Sequence, residues 1–71
     1  MGMYGRLGTR ENLKNVVTAV KAAGGTKDPK STPDAVTYNL QGKVAFRALA
    51  KGGNTYIIMY NDEFFPKPEI K

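Results

Sequence analysis

Between residues 35 and 61 the sequence carries Lys43, Arg47 and Lys51, no acid, and the interleaved trio Tyr56, Ile58 and Tyr60. Cations follow phosphates, and aromatic rings stack on bases at about 1–3 kcal/mol each, so this mixture has the chemistry to hold a nucleic acid. The same residue types make protein-interface anchors, since Tyr and Arg are favoured at the few positions that carry most of the binding energy. A second cationic set, Arg10, Lys14 and Lys21, falls on one helical face together with Thr18. That stripe could lie along a phosphate backbone.

Catalytic chemistry has little to work with. The chain contains no His and no Cys, which removes the commonest general base, the thiolate nucleophile and the best zinc ligands together. Ser31 is the sole serine and has no conventional triad to join. Asp62 and Glu63 are adjacent acids, but neighbours in an extended chain point apart and make a poor metal or acid–base pair. Gly2, Gly5 and Gly8 precede a helix start with Arg6 and Arg10 nearby, an arrangement suggestive of phosphate binding. The dinucleotide fingerprint needs a strand before its glycines, and the P-loop needs a terminal Lys-Ser/Thr; neither fits here. We therefore expect a non-enzymatic protein with no cofactor and no metal.

The sequence has 71 residues and a net charge of +5. A chain of this size buries roughly 60% of its unfolded surface, so one domain with a small core is expected over 1–71. Positive charge is spread through the body: residues 1–34 carry six bases against Glu11, Asp28 and Asp34, and only the 62–71 tail is net acidic. A basic body is drawn to polyanions or to acidic protein surfaces. No apolar run approaches the roughly 20 residues needed to span a bilayer, and MGMYGRLG has no apolar signal core, so a cytoplasmic protein without membrane contact is expected.

These side chains need elements to position them. TRENLKNVVTAVKAAGG predicts a helix over 9–23, with Thr9 as N-cap and Glu11 in the first turn. Leu13, Val16, Val17 and Val20 form its apolar stripe, and Gly24-Gly25 supplies the stop. Residues 1–8 read as a flexible, glycine-rich lead-in, and 26–34, with Pro29 and Pro33, as a loop. From 35 to 61 the period becomes two: AVTYNL, KVAFRALA and NTYIIMY are strands separated by QG and KGGN. Such short connections demand antiparallel hairpins. The expected fold is thus α+β, one N-terminal helix on a three-stranded antiparallel meander (α-β-β-β), followed by a proline-containing tail over 62–71. Phe64 and Phe65 are expected to plug an edge of the core.

Turn chemistry suggests the register. Gly52-Gly53 as a two-residue hairpin pairs Lys51 with Asn54, and therefore Phe46 with Met59 and Ala48 with Ile57. A three-residue loop Leu40-Gln41-Gly42 pairs Tyr38 with Val44 and Val36 with Phe46. Val36, Tyr38, Val44, Phe46, Ala48, Ile57 and Met59 then face the helix. Lys43, Arg47, Tyr56, Ile58 and Tyr60 are left on the reverse face, which becomes the expected binding surface. A one-residue slip at either turn would exchange the rows.

The order helix, strand, strand, strand over residues 9–61 resembles the first four elements of the double-stranded-RNA-binding domain. DEFFPKPEIK offers no counterpart of that family's second helix, whose basic cluster carries much of its phosphate binding. Small, basic, cysteine-free chains of this economy also resemble phage or mobile-element products that block a host machine. The expectation is a binding module for nucleic acid or, alternatively, an interaction module or inhibitor that docks on an acidic protein. A homodimer through the uncovered face is the third possibility.

Overall fold

Thr9 ends one element and begins another. Its hydroxyl accepts a hydrogen bond from the Asn12 amide at 3.2 Å, and the Asn12 side-chain oxygen accepts one from the Thr9 amide at 2.9 Å. This reciprocal cap satisfies two otherwise orphaned donors and starts α1 (Arg10–Ala22) where the sequence places it. Gly25 closes the other end, donating to the Val20 carbonyl at 2.8 Å. Val20 is buried, with Leu13, Val16 and Val17 packed beside it, so the apolar stripe is the buried one.

The computed structural model describes residues 2–66, with α1 and five antiparallel strands in one sheet. The strands are β1 (Met3–Thr9), β2 (Thr26–Lys27), β3 (Ala35–Leu40), β4 (Lys43–Gly52) and β5 (Thr55–Asn61), in the order β1-β5-β4-β3-β2. The expected helix on a three-stranded meander is overturned. The meander β3-β4-β5 exists, but a strand is added on each side of it, and one of these precedes the helix. The likeness to the double-stranded-RNA-binding domain goes with it, because that order begins with a helix. The residues 67–71 of the expected tail lie outside those described.

Residues 3–8, read as part of a flexible lead-in over 1–8, form with Thr9 a full strand paired with β5 from Met3↔Asn61 to Thr9↔Thr55. Its glycines mark lack of room. A Cβ on Gly5 would stand 2.9 Å from the Met59 sulfur, and one on Gly8 would stand 3.0 Å from Ile58 Cδ1. The 26–34 segment contributes β2, paired through Thr26↔Asn39 and Lys27↔Tyr38. Beyond it the loop is fastened to β3: Ser31 Oγ donates to the Thr37 carbonyl at 3.1 Å and accepts from the Thr37 amide at 3.0 Å.

Both hairpin registers differ from expectation: the first turn has two residues instead of three, and each ladder carries a β-bulge. In the first, Gln41 (φ 55°) and Gly42 (φ 75°) form a two-residue turn between Leu40 and Lys43. Val44 consequently meets Asn39, and the ladder then shifts so that Phe46 meets Tyr38. Ala45 is the extra residue, and Ala45 and Phe46 are both fully buried while Val44 is exposed. In the second, Gly52 pairs with Thr55 and Ala50 with Tyr56, leaving Lys51 as the extra residue. Gly52 sits at φ 138°, a conformation that side-chain-bearing residues rarely adopt, and so lets the bulge form.

That second bulge moves β5 by one residue relative to β4 and exchanges its two rows. Beneath the helix lie two cross-strand rows, Tyr4–Tyr60–Phe46–Tyr38 and Arg6–Ile58–Ala48–Val36. Rings stack along the first, Tyr4 on Tyr60 at 5.4 Å and Tyr38 on Phe46 at 5.2 Å. Ile58, Phe46 and Val20 are the largest fully enclosed side chains, and burying each contributes roughly 1.5–3 kcal/mol. Phe64 and Phe65 pack against this core as expected, Phe65 edge-on to Tyr60 at 5.3 Å. Asn61 holds the chain there, donating to the Val44 carbonyl at 2.8 Å and accepting from the Glu63 amide at 2.9 Å.

Candidate binding surfaces

The expected site was a single surface carrying Lys43, Arg47, Lys51, Tyr56, Ile58 and Tyr60. The slipped register divides it. Ile58 is fully buried at the centre of the core, and Tyr56 and Tyr60 are half-buried on the helix side. Burial of the Tyr60 hydroxyl raises its pKa, with Arg6 pulling down and Tyr4 pushing up by smaller amounts. Arg47 stays exposed on the opposite face, away from the tyrosines. Lys43 is engaged by Glu63 at 2.7 Å, and Lys51 is exposed at the bulge beside the β4–β5 turn.

The face without a helix is nonetheless continuous. Leu7, Ile57, Leu49 and Ala35 form a straight row across β1, β5, β4 and β3. Beside it runs Gly5–Met59–Arg47–Thr37. Among the described residues Met3, Leu7, Val44 and Leu49 are the large hydrophobic side chains exposed to solvent, Leu7 at 74%. Neighbouring apolar side chains gathered like this mark an interaction surface more often than scattered ones do. At the β3 end the surface deepens into a hollow of about 310 Å³ lined by Asp28, Lys30, Ala35, Thr37, Val44 and Arg47. The Asn39 side-chain Nδ2, donating at 3.0 Å, and then the Lys30 main-chain N–H, donating at 2.8 Å, hold the Asp28 carboxyl below its usual range.

A second surface lies on the helix side. The side of α1 that faces β3 leaves a groove of about 450 Å³, with Leu13, Val17, Val36, Tyr38 and Tyr56 along it. Arg10, Lys14 and Lys27 also line it, and no acid among the described residues does. Arg10, Lys14 and Tyr56 are thus brought together, whereas Lys21 lies a helical turn or more beyond and does not line the groove. Lys27, Leu7, Ile57 and Met59 were missed as surface residues. The signal for Leu7 was the alternation Met3, Gly5, Leu7 against Tyr4, Arg6, Gly8, which the glycines obscure.

Among the described residues no cluster of carboxylates could hold a metal ion, and no helix is long and apolar enough to cross a membrane. Comparison with known proteins finds no matching family model, no similar curated protein and no similar solved structure.

Proposed function

We propose that this chain is a non-catalytic protein-binding module whose uncovered sheet face docks on an acidic partner and can block it by occupancy alone. One observation carries the reading: Leu7, Ile57, Leu49 and Met59 share a face with Arg47 and have no helix over them. An aliphatic row suits the desolvated centre of a protein interface, and an arginine beside it supplies directional pairing with carboxylates. A phosphate backbone has no use for four aliphatic side chains.

A second reading, nucleic-acid binding, is favoured by the groove, where Arg10, Lys14 and Lys27 converge on Tyr56. Two double variants separate the readings, Arg47→Glu with Leu49→Glu on the sheet face and Arg10→Glu with Lys14→Glu on the groove. A photo-crosslinking residue placed at position 49 should capture a protein from cell extract, resistant to nuclease and lost in the Arg47→Glu background. Oligonucleotide binding that weakens steeply with salt and vanishes only in the groove variant would transfer the function to the groove.

A further inference from the structure

The two edges of the sheet are guarded very differently. β2 is two residues long and Pro29 follows shortly after it. Short strands, prolines and charges are the usual devices that stop an edge from pairing with another chain. β1 is seven residues long, contains no proline, and pairs with β5 over its whole length without a bulge. Its one charged residue, Arg6, lies in the helix-side row. Leu7 and Met3, the two most exposed large hydrophobic residues among those described, both sit on this edge and on the same face.

We propose that the edge of β1 left unpaired by the described strands pairs antiparallel with β1 of a second copy, joining the two sheets into one across a two-fold axis at Gly5. The register follows from the backbone. The Asp62 amide donates to the Gly2 carbonyl at 2.9 Å, so Gly2, and by alternation Tyr4, Arg6 and Gly8, direct their main-chain groups toward β5. Met3, Gly5 and Leu7 therefore direct theirs outward. An axis at Gly5 sets Gly5 against its own copy and Met3 against Leu7, so every outward N–H and C=O of these three residues gains a partner.

Side chains select the same register. On the open face the exposed Met3 meets the exposed Leu7, extending the Ala35–Leu49–Ile57–Leu7 row into the second copy. On the helix side Arg6 lies across from the ring of Tyr4, a favourable cation–aromatic approach. An axis at Arg6 would oppose two arginines, which is destabilising. An axis at Leu7 would set Thr9 against Gly5, but Asn12 already holds the Thr9 amide and the helix begins at the next residue. Charge also permits approach: Asn12 and Asn15 of α1 share a hollow with Arg6, Leu7 and Gly8, whereas Arg10 and Lys14 line the groove toward β3.

The absence of cysteine makes a crosslinking test clean. Met3→Cys and Leu7→Cys variants should each stay uncrosslinked under mild oxidation and form a disulfide when mixed, because opposed Cα atoms in such a pair lie about 5.5 Å apart. Sedimentation of the wild type should show a monomer–dimer equilibrium, and Leu7→Lys should weaken it by at least about tenfold. Circular dichroism of Leu7→Lys should be unchanged, since Leu7 is exposed. Crosslinks in either variant alone, or none in the mixture, would overturn the register. A wild type that stays monomeric at concentrations on the order of 1 mM would overturn the pairing and leave the edge to an extended segment of another protein.

Discussion

The two faces of β5 are built from neighbouring residues of similar size and meet opposite fates. Tyr56, Ile58 and Tyr60 go beneath the helix; Thr55, Ile57 and Met59 face outward. Composition alone does not separate the rows, since each contains an isoleucine and at least one other large side chain. What separates them is partnership. The inward row finds Phe46, Ala48 and Tyr4 on its neighbours and the valine stripe of α1 above. The outward row finds Leu7, Leu49 and Arg47, and no element of the described chain lies over it. An apolar strand whose two faces both look buried is thus better read as one face for the core and one for a partner.

The largest expected effect tests that division directly. Ile58→Ala should cost about 2–5 kcal/mol, because it opens a cavity in a fully enclosed site. Ile57→Ala should cost about 1 kcal/mol, because its half-buried side chain surrenders only part of its transfer energy and leaves no void. Urea denaturation of the two variants measures both numbers. Equal costs, or a larger cost at Ile57, would restore the register expected from Gly52-Gly53 and with it the tyrosine surface.

How much of this was legible depends on the scale of the signal. The helix was, because Leu13, Val16, Val17 and Val20 repeat over several turns and Thr9 caps them. The three strands of the meander were, and so was the helix-side placement of Val36, Tyr38, Phe46 and Ala48. β1 was not, because strand propensity is carried by bulky residues, and Gly5 and Gly8 are small to admit Met59 and Ile58 from the neighbouring strand. The division of β5 was not, because a bulge adds one residue and one residue is the whole difference between faces. Lys51 gives no local sign that it is unpaired. Of the expected site, Arg10, Lys14 and Tyr56 do meet, in a groove lined by α1, β2, β3 and β5, whose pairing no short stretch of the sequence announces.

The turns themselves offer the next test. Gly52 at φ 138° supports the bulge that divides β5, so Gly52→Val should cost about 1–3 kcal/mol. Gln41 at φ 55° is the reverse case, a side-chain-bearing residue in a left-handed position followed by Gly42. Gln41→Asn should therefore stabilise the fold by about 0.5 kcal/mol, since Asn-Gly suits a turn with both residues left-handed. Shifts of the urea midpoint in opposite directions at unchanged slope would confirm that both turns are as described. A neutral Gly52→Val would mean that Lys51 pairs normally and the faces are not divided by a bulge.

The smallest effect is a pH dependence that reports which face Tyr60 occupies. Burial raises its pKa, so the folded chain holds the phenolic proton to higher pH than the unfolded chain does. The stabilisation is complete below the ordinary tyrosine value near 10 and is lost as pH climbs from there through the raised value. Wild-type urea midpoints should therefore fall as pH climbs above the ordinary tyrosine value near 10. In Tyr60→Phe, which keeps the ring stack with Tyr4 but has no proton to lose, the fall should be shallower by the Tyr60 share. Every other group is common to the two proteins, so only the difference between the two curves bears on Tyr60. A tyrosine on the open face would titrate as it does in the unfolded chain, and the two curves would then run parallel.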